Sequence, residues 1–157
     1  ARPKILLCTT WEEAERAFER YAGEVLGIIS DVEFPRAGEK VPRAGADFAR
    51  QVGGSLVRVE LMVPPGASPH TYQIRPDQMK QVSRASLLIL NGVGLEFWAD
   101  KVIDAADNPG LAVVRTSDGL PIVGSGDRHH PGGNPHVWLN PVYAIHEIIR
   151  ICKADDP

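Results

Sequence analysis

The chain is short of several things, and each shortage excludes something. Its 157 residues carry 17 Lys and Arg against 20 Asp and Glu, a net charge of −3. Without a basic excess there is no electrostatic footprint for nucleic acid, whose binders concentrate cations on one face. No apolar run approaches the roughly 20 residues that a membrane-crossing helix needs, so no membrane insertion is expected. The opening Ala1-Arg2-Pro3-Lys4 does not read as a signal peptide. Two cysteines are too few for a disulfide framework. Cys8 follows Ile5-Leu6-Leu7 and reads as a small buried hydrophobe, while Cys152 falls in a C-terminal helical pattern. Free thiols are expected in preference to a Cys8–Cys152 bridge, which leaves the compartment open. Catalytic patterns are missing too. Gly92-Val93-Gly94 lacks the third glycine of a dinucleotide fingerprint, and no Ser-His-acid or Cys-His spacing stands out, so no enzyme activity is expected.

What is present is a hydrophobic content of 43%, enough for one substantial core and too little for two large ones. Strand-like and helix-like runs alternate, which favours a three-layer α/β fold: a mainly parallel sheet of about five strands with helices on both faces, in a single domain over residues 1–157. The expected strands are Lys4–Thr9, Val25–Ser30, Leu56–Val63, Leu87–Leu90 and Leu111–Thr116. The third alternates Val57, Val59 and Leu61 with Arg58 and Glu60, an edge pattern, and the fourth reads as buried on both faces. Between them the spacing predicts helices over Trp11–Ala22, around Ala46–Gly53, from Pro76, over Leu95–Ala106 and from Pro141. Thr10 and Glu13 form a capping box, and Val142, Ile145, Ile149 and Cys152 make the apolar stripe of the last helix. Pro35 to Gly45 and Ser117 to Pro135 read as loops.

In parallel α/β sheets ligands gather beyond the carboxyl ends of the strands. Asp31, His70, Asn91-Gly92-Val93-Gly94 and the loop bearing His129, His130 and His136 all fall there. His70 follows Pro69 and His136 follows Pro135, so each ring is presented from a stiffened backbone. Neutral imidazoles held this way suit zinc or a similar divalent ion. Two distant histidines taken alone favour the plainer reading of surface or capping residues.

The surrounding segments change that weighting. Ala46 to Gly54, Pro64 to Tyr72, Asn91 to Glu96 and Asn134 to Pro141 occur in order, and over residues ~46–154 the chain resembles the TroA-like receptors of zinc and manganese ABC transporters. The resemblance implies that His70 and His136 are metal ligands. It implies further ligands in a second lobe beyond a connecting helix, which this chain does not reach. A weak zinc-like site follows, with Asp31, His129 and His130 as further candidate ligands and His146 read as a non-ligand. Engagement of a transporter is not expected without the second lobe, and an apolar face left uncovered favours self-association. Residues 1–50 resemble instead an internal piece of a response-regulator receiver, with Asp31 at the phosphoacceptor position but without the accompanying carboxylates, so phosphorylation is not expected. Together these imply a flavodoxin-like and TroA-lobe hybrid, a receiver-like segment 1–50 joined to a receptor-like segment 51–157, natural or engineered. The receptor parent would be periplasmic or extracellular and the receiver parent cytoplasmic. A folded scaffold with no selected activity is the alternative.

Overall fold

Thr10 opens the first helix from an extended backbone, φ −134° and ψ 162°, and its hydroxyl accepts from the Glu13 N–H at 3.3 Å. That satisfies one of the donors a helix start leaves without an intrahelical partner. The computed structural model describes residues 8–24, 34–124 and 132–154, and in it α1 spans Trp11–Tyr21. The Glu13 carboxylate reaches one residue further back than a capping box requires. It accepts from the Thr9 N–H at 2.7 Å and the Thr9 hydroxyl at 2.9 Å, and these bonds hold its pKa below the ordinary carboxylate value.

The chain divides into two compact units, Ala1–Gly66 and Ala67–Pro157. In the first, α1 is joined by a hairpin, β1 Phe34–Arg36 and β2 Glu39–Val41, and by α2, Ala44–Gly53. The hairpin corrects the loop expected over Pro35–Gly45. Ala37 and Gly38 both have positive φ, 52° and 81°, as a two-residue primed turn requires, and the pairing is antiparallel from Phe34↔Val41 to Arg36↔Glu39. Prolines 35 and 42 concealed it, although a two-stranded ribbon tolerates proline on its outer edge. Trp11, Ala44 and Phe48 form the core of this unit, with the Trp11 and Phe48 rings edge to face at 5.3 Å.

The strand expected at Leu56–Val63 does not form. Gly54–Leu56 is a 3-10 turn, and Leu56 and Val57 are exposed. Alternation makes a strand only where a neighbour accepts its hydrogen bonds, and no described strand pairs with this segment. Of the other expected strands, Lys4–Thr9 lies mostly, and Val25–Ser30 wholly, outside the described residues. Cys8 is half-buried rather than buried, and Cys152 is exposed.

The second unit holds α3 Pro76–Val82, β3 Leu87–Leu90, α4 Ala99–Ala106, β4 Ala112–Arg115 and α5 Pro141–Ala154. β3 and β4 pair in parallel, Leu87↔Ala112 to Leu90↔Arg115, with α4 as the crossover that parallel strands need. α3 packs against α4, and α5 packs against β4. The Asn108 amide donates to the Val82 and Ala85 carbonyls and so closes the end of α3.

Three expectations are corrected in this unit. Leu88 and Leu90 are buried but Ile89 is 47% exposed, so β3 is covered on one face only. α4 starts at Ala99 rather than Leu95, because Gly92, Val93 and Gly94 all take positive φ and the chain leaves them in turns. On α5, Val142 and Ile149 are exposed, and the buried residue is Glu147 at 4% exposure. The Glu147 carboxylate has an internal partner there, accepting from the Thr116 hydroxyl at 2.8 Å.

Candidate functional site

His70 sits on the chain leading into α3. The Thr71 N–H bonds the Ser68 carbonyl at 3.2 Å, turning the backbone at the histidine. Tyr72 then ties this turn to the helix, its hydroxyl donating to Gln78 Oε1 at 3.0 Å. Gln78 is 2% exposed, and the same oxygen accepts from the Arg75 N–H at 3.0 Å, capping α3 and anchoring the loop at one atom.

His136 comes from the other side of the sequence. Pro135 before it is among the most buried side chains, and Val137 after it is 6% exposed. Between these anchors the Asn134 Oδ1 accepts from the His136 N–H at 3.0 Å and lies 2.8 Å from His136 Nδ1. The backbone N–H identifies that side-chain atom as an oxygen acceptor. Nδ1 must therefore carry a proton, which makes Nε2 the nitrogen with the lone pair in the neutral ring. Trp138 flanks the imidazole with ring centres 5.3 Å apart.

The two rings meet. The centres of His70 and His136 are 5.8 Å apart, tilted by 50°. Two imidazoles on one tetrahedral zinc ion, at about 2.0–2.1 Å per bond, put their ring centres roughly 5 Å apart. The observed spacing of 5.8 Å is close to that value. Oriented, borderline-soft nitrogen donors are the donor type that zinc and its neighbours take. Among the described residues no cluster of three or more His, Cys, Asp or Glu stands ready for a metal. Asp31, His129 and His130 lie outside the described residues. His146 is on α5, where its Nε2 faces the Asp118 carbonyl at 3.0 Å.

The Asn91–Glu96 turn, quoted from sequence without a role, lies under the His136 loop. The Glu96 carboxylate accepts from the Asn91 N–H at 2.9 Å and the Gly92 N–H at 3.1 Å. The Asn91 side chain donates to the Pro135 carbonyl at 2.8 Å. Behind it the Asn91 carbonyl accepts from the Ser117 N–H at 3.1 Å. Val93 holds φ 53°, a strained setting for a β-branched residue, between two left-handed glycines. Sequence reasoning missed Asn91 and Asn134 as supports because neither titrates nor ligates. The polar residue two positions before His136 was the available signal, since Asn in that place makes an Asx turn.

Comparison with known proteins finds relatives for most of the chain. The family model described as "ZnuA: Zinc-uptake complex component A periplasmic" matches residues 44–154. The chain is 34% identical over 112 residues to the iron-binding protein YfeA of Yersinia pestis, covering 69% of this chain and 34% of that protein. It is 30% identical over 121 residues to the manganese ABC transporter substrate-binding lipoprotein PsaA of Streptococcus pneumoniae, covering 71% and 39%. The crystal structure of the Zn(II)-bound ZnuA-like domain of Streptococcus pneumoniae AdcA superposes with a TM-score of 0.57 at 27% identity, covering 71% of this chain and 41% of that one. The chain thus spans well under half the length of each. The α/β fold is shared with these neighbours. The comparisons lend no support to a receiver fragment over residues 1–50 or to a join of two parents.

Proposed function

The chain belongs to the periplasmic zinc-uptake component A family, and from that premise we propose that it holds a divalent cation of the zinc type between His70 and His136. The observation that carries the reading is the 5.8 Å approach of two imidazoles from segments 66 positions apart in sequence. The Asn134 contact supports it, because a ligating histidine commonly donates its other ring N–H to a fixed acceptor. His136 would bind through Nε2. Positions of a tetrahedral ion not filled by these two rings go to water or to Asp31, His129 and His130, the further candidates. A two-histidine site binds far more weakly than a closed four-ligand one. The role is capture of a metal ion as cargo, with no bond made or broken. Service to an ABC transporter, contrary to the expectation from sequence, and a place outside the cytoplasm belong to the same proposal and are supported by the descriptions of the family and of its manganese-binding relative.

Thermal unfolding against Zn²⁺ concentration tests it. The melting temperature should rise with zinc and return on adding a chelator, and the rise should vanish in the His70→Ala, His136→Ala double variant. No response at millimolar zinc, or the same response in the double variant, sinks the reading and leaves a folded scaffold.

A further inference from the structure

The geometry points to Asn91 as the positioning residue for the His136 imidazole. Asn91 lies 45 positions from His136 in sequence, at the end of β3, yet its amide donates to the carbonyl of Pro135, the residue bonded directly to His136. That contact fixes the peptide plane from which the His136 N–H leaves, and the N–H must leave in one direction to meet Asn134 Oδ1 at 3.0 Å. If the Pro135–His136 peptide rotates, the Asn134 oxygen loses the backbone N–H and Nδ1 together, and the ring loses both its tautomer and its heading.

Asn91 can act as a clamp because it is itself held on every side. Its N–H is taken by Glu96 Oε1 and its carbonyl by the Ser117 N–H, and its amide also donates to the Gly92 carbonyl at 3.1 Å. The hydroxyl of Thr116 stands 3.5 Å from the Asn91 carbonyl and 2.8 Å from the buried Glu147 carboxylate. The clamp therefore belongs to the β3–β4 framework and to α5, not to the loop it grips. Glu96, Thr116 and Glu147 hold Asn91 in place. Asn91 carries the hydrogen bond from this group to the His136 loop. A serine or aspartate at position 91 would keep the turn but could not reach Pro135 with an N–H.

As a statement about metal binding this rests on the proposed function, but the clamp itself can be read without metal. In the metal-free protein, long-range nitrogen–proton spectra of the imidazoles should show His136 held as the Nδ1–H tautomer. In Asn91→Asp, which keeps the size and loses the donor, the His136 signals should move toward the averaged pattern of a solvated ring, while those of His146 stay in place. Unchanged His136 signals in Asn91→Asp would overturn the assignment. Asn91→Ser is the second variant should Asn91→Asp fail to fold.

With Zn²⁺ as the probe, Asn91→Asp should raise the apparent Kd about tenfold, in the range seen for residues that orient a ligand from behind. The same substitution in a His136→Ala background should add nothing, because the ring it aims is gone. Equal losses in both backgrounds would mean a general structural effect and would also overturn it. A wild-type chain that takes up no zinc removes the metal reading, and the metal-free spectra then decide the clamp separately.

Discussion

Glu147 is the buried residue of α5, and its protonation should be visible in stability. Burial pushes its pKa above the ordinary value of 4.5, with the Thr116 hydrogen bond and His146 opposing. The folded state thus holds the proton more tightly than the unfolded chain. Its stabilising contribution is complete below the unfolded value of 4.5 and is lost as pH rises through the raised folded value. Glu147→Gln should therefore be more stable than wild type at neutral pH, and the two melting curves should converge on acidification. Parallel curves across that range would refute the assignment. Glu12, Glu13 and Asp77 slope the other way, since their hydrogen bonds lower their pKa values and their contribution disappears as pH falls. Gly92 offers a second test at this scale. Its φ is 90°, and a Cβ there would stand 2.5 Å from the hydroxyl of buried Ser117. Gly92→Ala should cost roughly 1–3 kcal/mol in denaturant unfolding. A neutral result would show that the turn can relax.

At the scale of elements, helices were legible and strands less so. Thr10, Pro76 and Asn140-Pro141 announced three helix starts, and each side-chain or proline signal stands where the structure begins the helix. Such signals are local, one residue acting on the next three or four. β3 and β4 were legible for a different reason, as short apolar runs flanked by turns. The segment at Leu56–Val63 carried the right alternation, but pairing is a property of two segments and cannot be read from one. The hairpin at Phe34–Val41 failed in the opposite sense, its prolines and charges masking an Ala-Gly turn that needs positive φ at both positions. The α5 stripe was misread because four apolar residues outweighed one acid whose partner, Thr116, lies 31 positions away. Two substitutions test the elements that were read correctly. Thr10→Ala removes the α1 cap and should cost about 1 kcal/mol. Phe48→Ala empties the ring contact with Trp11 and should cost about 3–5 kcal/mol. If Phe48→Ala costs no more than the cap, the Trp11–Ala44–Phe48 cluster is not the core of its unit.

For the molecule as a whole, the sequence located the two imidazoles through motifs but could not show that they approach. Their approach depends on where β3, β4 and the Asn91 turn carry the chain. The chemistry of the pair then dictates a selectivity. Imidazole nitrogen is a borderline donor that favours zinc, nickel and copper, whereas magnesium and calcium prefer oxygen ligands and manganese stands lowest in the divalent first-row order. An ion that binds only the folded state at 100 times its Kd adds about 2.7 kcal/mol. In a chain of this size that should raise the melting temperature by roughly 5–10 °C. At equal concentration Zn²⁺ and Ni²⁺ should therefore shift the transition, Mn²⁺ should shift it less, and Mg²⁺ and Ca²⁺ should leave it unchanged. Equal shifts from Mg²⁺ and Zn²⁺ would mean that carboxylates or general ionic strength produce the effect. A Mn²⁺ response exceeding that of Zn²⁺ would mean that oxygen donors dominate the site, and the two rings would then be neighbours rather than its principal ligands.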